Sequence, residues 1–246
     1  MRAVAHIAIV VLLTILTQLG GIAWLISLAF KRRLLAFVIG YAALSLSATV
    51  IAPQFGRVPL PCISNGPLQP QSLIYCALNR HYVTPLLRQT ALDLADTMNA
   101  KHPDTTTLTL DANFPFGTGF PLLPHLSHND GRKLDLALYY SKDGSYLPRK
   151  TSSPIGYFAF EDGPSSCPPA VPTLRWDLAW LQTLWPNYDL DSARMSDALR
   201  LLTNDPRIGK VLIEPHLQTR FGNGSDKLRF QGCRAARHDD HIHIQL

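Results

Sequence analysis

The sequence predicts an α+β architecture: a small antiparallel sheet with helices packed on one side, preceded by a two-helix transmembrane hairpin. Residues 7–30 and 34–52 are two long apolar runs without a charge. Beyond residue 80, stretches of helical spacing and short stretches of strand alternation follow one another, with the helices segregated to one side of the strands. The chain ends on His241-Ile242-His243-Ile244-Gln245-Leu246. In a strand this alternation puts both histidines on one face and Ile242, Ile244 and Leu246 on the other.

Each apolar run is long enough for a bilayer, which needs about 20 apolar residues, and exceeds the roughly 7 to 15 of a signal-peptide core. Lys31, Arg32 and Arg33 separate the runs, against Arg2 and the amino group at the start. Positive charge is retained in the cytoplasm, so the loop is expected inside and both ends outside, with residues 1–52 spanning the inner membrane twice. Pro53, Pro59, Pro61, Pro67 and Pro70 among polar residues read 53–80 as a linker. Residues 81–246 are the right length for one core. Four cysteines, Cys62, Cys76, Cys167 and Cys233, all follow the second run, and none forms a Cys-x-x-Cys knuckle. An even count in an exported domain favours disulfides. Of the three connectivities, Cys62 with Cys76 and Cys167 with Cys233 are expected, because each pair ties down a Pro-rich or irregular segment.

Within the domain, Thr84-Pro85 opens a helix with proline at its first position. Leu87, Ala91, Leu94, Ala95 and Met98 keep helical spacing until Pro103 closes it. A strand is expected over 106–110, then a loop over 113–119 that delivers the chain to His125. Its Gly117-Thr118-Gly119 is no phosphate cradle, since no helix start follows. Asp130-Gly131 is a turn, after which Leu134, Leu136, Leu138 and Tyr140 alternate with Lys133, Asp135, Ala137 and Tyr139. Further along, 155–160 reads as a strand, 162–172 as a loop, 176–185 and 192–202 as helices, and 210–213 as a strand ahead of the last one.

Two histidines on one strand face can work beside a transition metal, but a zinc site needs three or four ligands. The other source is the segment around the Asp130-Gly131 turn. Asp135 falls on the face away from the core, and His128, seven residues earlier across the turn, can fold back towards it. His128, Asp135 and His243 then make a His/carboxylate set that zinc accepts with a position left open for water. Five of the nine histidines fall in these two short windows, which is why they read as one site, carried on the open face of the sheet.

The pattern His-x6-Asp followed by a terminal His-x-His resembles the zinc peptidases grouped with lysostaphin, the D-Ala-D-Ala metallopeptidases and the hedgehog domain. Within that group it is most similar to the penicillin-insensitive murein endopeptidases. That family has a further histidine three residues before the first ligand, matched by His125, and another three residues before the His-x-His pair, matched by His238. Ser127-His128, Asp240-His241-Ile242-His243, Asn204-Asp205-Pro206 and the run from Lys210 to Pro215 also read similarly. The resemblance covers roughly residues 105 to 246. It is strong at the six site positions and thin between them.

A zinc ion held by His128, Asp135 and His243 would bring a bound water's pKa to roughly 7 and polarise a scissile carbonyl. His241 shares the face of His243 without being needed as a ligand, so it is the expected general base. His125 and His238 either orient the water and donate to a developing oxyanion, or fix ligand tautomers. Glu214 and His216 have no spacing that assigns them a role and read as structural or surface residues. The expected function is a membrane-anchored zinc metallopeptidase. The resemblance, and not the spacing, implies peptide cross-links of peptidoglycan as its substrate, a D,D-endopeptidase-like activity. The family's members are usually soluble exported enzymes, so the two spans are a departure. The alternatives are a D,D-carboxypeptidase of the same fold, or a tethered zinc- or wall-binding module without hydrolysis. A net charge of +5 is compatible with an anionic wall polymer or membrane surface. Dispersed basic residues without interleaved aromatics argue against a nucleic-acid partner.

Overall fold

A computed structural model of the chain describes residues 2–165, 167–168 and 179–246. Three helices open it: α1 (Arg2–Thr17), α2 (Gly20–Ser27) and α3 (Arg33–Ile51), the last continued by a 3-10 turn at Ala52–Phe55. The first apolar run is not one continuous span, which corrects the two-span hairpin. It breaks at Gln18, whose φ of 64° lies in the left-handed region, and α2 folds back along α1. His6 meets Trp24 with ring centroids 6.0 Å apart. A Cβ on Gly21 would fall 2.0 Å from Thr14 Oγ1, so only glycine permits this approach. The Arg2 end of α1 therefore lies toward the same end of the bundle as the basic 31–33 turn, not at the opposite end. Among the described residues one helix, Arg33–Phe55, is long and apolar enough to cross a membrane, and Ala3–Thr17 is a shorter apolar helix.

The stretch read as a linker is built into the domain. It carries β1 (Val58–Pro59), β2 (Leu68–Pro70) and α4 (Leu73–Ala77), and leads to β3 (Tyr82–Val83), which pairs with β1. Ser72 caps α4 by accepting from Ile74 N, and the Cys62–Cys76 disulfide fastens this segment. α5 (Pro85–Lys101) starts as expected, with Pro85 in the first turn and the Thr84 side chain accepting from Leu87 N. Then come β4 (Thr107–Thr109), β5 (Lys133–Ala137), β6 (Tyr140–Lys142), β7 (Ser145–Tyr146), α6 (Ala179–Gln182) and β8 (Asp189–Leu190). The chain ends through α7 (Ser192–Asn204), β9 (Lys210–Leu212), α8 (Pro215–Phe221), β10 (Leu228–Arg229) and β11 (His241–Gln245). The second disulfide joins Cys167 to Cys233.

The class is α+β, but the main sheet is mixed and not antiparallel throughout. Its order is β10-β9-β11-β5-β4-β2, with parallel pairs at both edges, β10 with β9 and β2 with β4. The four inner strands, β9, β11, β5 and β4, each run antiparallel to the next, and the register sets His243 opposite Asp135, Ile242 opposite Leu136 and Ile244 opposite Leu134. One face carries the core: Leu134, Leu136, Ile242 and Ile244 share a buried cluster with α5, α7 and α8. Residues 155–160 are not a strand. Phe158 has a φ of 64°, which no strand accommodates, and their apolar side chains instead pack over the opposite face of the sheet. Of the helix expected over 176–185, residues 179–182 are helical and 176–178 lie outside the described residues, as do 166 and 169–172 of the expected loop.

Truncating Leu136, buried in the centre of this sheet, should destabilise the full chain by about 2–5 kcal/mol, read as a lowered urea midpoint in detergent. A loss within about 0.5 kcal/mol, the scale of a surface substitution, would contradict the packing of β5 on the helices.

Candidate metal centre

Because β5 and β11 are paired in this register, Asp135 and His243 face each other across the sheet on the side away from the core, where directly opposite side chains approach within about 5 Å. His243 Nδ1 lies 2.8 Å from Asp135 Oδ1. His128 arrives from the loop before β5 and completes the triangle, its Nε2 3.1 Å from His243 Nδ1 and 3.3 Å from Asp135 Oδ1. The three side chains expected as ligands thus converge on one point. All three are buried, so the expectation of an open sheet face is corrected: loops roof the site.

Those loops are held by buried polar contacts. Arg57 donates to the carbonyls of Phe114, Gly117 and Asn129 at 3.0, 3.2 and 3.4 Å. Its side chain fills the space beside Gly131, where a Cβ would stand 2.5 Å from Arg57 Nε. Asn113 accepts from Gly131 N and donates to Lys133 O. Arg80 forms a two-pronged pair with Asp111, at 2.5 and 2.6 Å, and also donates to Leu123 O, two residues before His125.

The Asp135 carboxylate has two sides. Oδ1 meets His128 and His243, while Oδ2 accepts from the Tyr157 hydroxyl at 2.7 Å and lies 3.2 Å from His125 Nδ1 and 3.7 Å from His241 Nε2. With His128 and Asp135, His125 forms a group whose possible ligand atoms lie within 4.8 Å of one another. Burial alone would raise the Asp135 carboxyl, but His128 and His241 hold it well below the usual range. A fully buried carboxylate in that state needs a cation or a proton among its neighbours. His128 Nδ1 donates to Ala112 O at 2.7 Å, which in the neutral ring leaves the Nε2 lone pair facing Asp135 Oδ1. Either a proton or a metal ion between them satisfies both groups. Burial, against the opposing pull of Asp135, brings His243 down to about 4, so its ring is neutral and ready to bind a metal.

His241 is placed differently. Its Nδ1 lies 2.5 Å from Asp240 Oδ1, and Asp240 Oδ2 accepts from Phe158 N. Burial pulls its pKa down, but Asp135 and Asp240 outweigh this and push it up to about 9. His238 is buried beside it, with ring centroids 5.0 Å apart, and burial together with His241 and His243 drives its pKa well below the ordinary value. Nδ1 of His238 is buried with no hydrogen-bond partner among the described residues, whereas Nδ1 of His125 stands between two carboxylates, 3.1 Å from Asp111 Oδ2 and 3.2 Å from Asp135 Oδ2. The six expected positions are therefore all in one cluster. Glu214 and His216 are not surface residues: Glu214 is buried and accepts from His238 N, and His216 Nε2 comes 3.9 Å from Asp239.

Sequence reasoning missed Tyr157, Asp111 and Arg80. Tyr157 packs edge-on against His125 and His241, and burial beside Asp135 and Asp111 raises its hydroxyl well above 10, so it stays a donor. Nothing in the spacing of 155–160 marks it. Asp240 was legible only as a neighbour of His241. A second group, Cys62, Cys76 and His81, also has ligand atoms within 4.8 Å, but the disulfide leaves no thiolate there to bind a metal. The chain matches no protein-family model and no curated protein.

A cavity of about 180 Å³ lies against the centre, lined by His125, His128, Asp135, His238, His241 and His243 among others. A larger one of about 460 Å³ adjoins it, shares His125 and His241, and is otherwise mainly apolar.

His243→Ala and His128→Ala should each lose bound metal steeply. His241→Ala should keep it near stoichiometric, as elemental analysis of the purified chain would show. Equal loss in all three would make His241 a ligand. In the chelated chain a second test reads pH. A histidine raised in the fold contributes stability that is complete below its unfolded value of about 6.5 and lost as pH rises through about 9. Asp240→Asn should therefore flatten the fall in urea stability across that window, and an unchanged slope would refute the pairing.

Proposed function

We propose that this chain is a membrane-anchored zinc metallopeptidase that hydrolyses peptide cross-links of peptidoglycan. The observation that carries the reading is the convergence of His128 Nε2, Asp135 Oδ1 and His243 Nδ1, separated by 2.8 to 3.3 Å. Three donors bound at ~2.0–2.1 Å with tetrahedral angles stand ~3.3 Å apart, so the set fits zinc in size as well as in chemistry. The substrate class rests on the resemblance to the murein endopeptidases.

When bound, zinc supplies Lewis-acid polarisation of a scissile carbonyl and an acidified water. The chain's own groups do the rest. His241 is oriented by Asp240 through Nδ1 with Nε2 facing the centre. The pull of Asp135 and Asp240 that raises it to about 9 acts in the metal-free site, and a cation bound at Asp135 would offset it, so that Nε2 could take and return a proton near neutral pH. Tyr157 donates to Asp135 Oδ2 and accepts from Asp111 N, and so fixes the ligand carboxylate beside the His125 and His241 rings. His238 presents a buried Nδ1 with no other partner among the described residues, available to orient the substrate or the attacking water, and His125, held by Asp111 and Asp135 through Nδ1, turns its remaining edge to the same cavity. Loops covering the site exclude bulk water, which strengthens each of these interactions.

The anchor is α3. Its face continues into the domain's core, where Tyr82 packs with Leu19, Ala48 and Ala52, and that continuity supports a retained anchor over a cleaved leader. Arg2 and the 31–33 turn gather at the end away from the domain, so the reading places that end in the cytoplasm and the domain outside, where two disulfides are at home.

The test is digestion of purified cross-linked muropeptides by the full chain in detergent. Cleavage should stop with a chelator, return with zinc, and fall roughly 100-fold or more in His241→Ala, the usual scale of general acid-base assistance. Cleavage indifferent to chelation, or none in the metal-loaded chain, would overturn the proposal.

A further inference from the structure

The larger cavity has a wall that belongs to the membrane side of the molecule. α3 begins at Arg33, and Tyr41 stands eight residues along it, about 12 Å at 1.5 Å per residue. A bilayer's hydrocarbon is about 30 Å thick, so a spanning α3 carries Tyr41 inside it. There the Tyr41 hydroxyl donates to Ala77 O, at the end of α4, at 2.6 Å. Next to it, the Asn79 amide donates to Tyr41 Oη, Ser45 Oγ and Thr17 O at 3.0, 3.1 and 3.4 Å. An amide whose N–H groups are taken up by helix partners suits a water-free medium. The same segment turns apolar side chains outward: Leu73 is 63% exposed and Ile74 45%, while Ile63, beside the Cys62–Cys76 bridge, is 93% exposed. In water these would be an unexplained patch, and against acyl chains they are solvated.

Ile74 and Leu78 of that segment line the 460 Å³ cavity, together with Ile155, Phe158 and Phe160, and the cavity reaches His125 and His241 of the metal centre. We propose that this cavity takes the hydrocarbon chain of a membrane-anchored substrate, so that the peptide presented to the centre is one carried on a lipid. The inference rests on the peptidase and anchor readings above, and it narrows the substrate to those that lie in the same leaflet as the cavity mouth. The two arginines in the cavity wall do not oppose a hydrocarbon occupant: Arg80 is engaged by Asp111, and Arg237 pairs with Asp239 while lying over the Phe160 ring.

The experiment uses the full chain in lipid nanodiscs doped with a phospholipid bearing a diazirine at its acyl terminus. After photolysis, labelled positions are mapped by mass spectrometry. Label is expected in 63–78 and in 155–160 as well as in 2–52. Leu78→Trp, which fills the cavity, should reduce the label in 155–160 several-fold, and Ile74→Lys, at an exposed position, should reduce it in 63–78. Label confined to 2–52 overturns the proposal. A second arm offers one cross-linked peptide in two forms, free and joined to a diacyl anchor. Faster turnover of the anchored form, with the preference lost in Leu78→Trp, supports it. Equal turnover of both forms overturns the lipid-borne substrate and leaves the peptidase standing. A labelled cavity with no turnover of either form leaves the hydrocarbon site standing and removes the peptidase.

Discussion

The pairing of β5 with β11 is the contact on which the rest of the molecule depends. One register delivers two results: Leu134 and Leu136 meet Ile244 and Ile242 on the face covered by helices, and Asp135 meets His243 on the other. A slip of one residue would send the carboxylate into the apolar core and the leucines into the site. The apolar burial that fixes the register therefore also fixes the centre, and the chemistry needs no separate scaffold. What the arrangement costs is a carboxylate with no exposure to solvent. That cost explains why histidines surround it on both oxygens and why Tyr157 donates to it: an ionised group so placed survives only if it is matched by donors or cations.

The polar residues around the site act at one remove by fixing loops. Arg57, Asn113 and Arg80 each satisfy carbonyls of the stretch that carries His125 and His128. Arg57 and Arg80 come from the region between the first helices and α5, so the segment that leaves α3 is also the one that sets the position of the histidine loop. Tyr82 adds an apolar tie by packing against Leu19, Ala48 and Ala52. α3, the histidine loop and the centre are thus mechanically continuous. A cavity that opens beside α4 is held at a fixed height relative to α3, which a domain on a free tether would not allow.

Local rules account for what could be read directly. Strand alternation is a property of a few consecutive residues, so the faces of Asp135, His241 and His243 followed from the chain alone, as did the start of α5 from Thr84-Pro85. Histidines gathered in two windows marked the centre, because few structural reasons place so many imidazoles together. The failures have local causes too. Apolar character without a facing constraint was misread at 155–160, where the side chains cover the site and Phe158 is left-handed, and at the first apolar run, where hydropathy does not report that Gln18 reverses the chain. Prolines in 53–80 suggested a tether, although β2 needs only the three residues Leu68–Pro70 to join the sheet edge beside β4.

By itself the sequence determined which side chains share a face, which residue types could bind a metal, and where charge interrupts the apolar N-terminus, because each of these depends on neighbours a few positions away. Tertiary structure alone decided that β5 and β11 are partners in that register, that Asp111, Tyr157 and Asp240 join the histidines, that loops roof the centre, and that α2 folds back so that Arg2 and the basic turn share one end. These are contacts between segments tens to more than a hundred residues apart. They are selected by the fit of buried surfaces and the satisfaction of buried polar groups, and no pattern within a single segment records either.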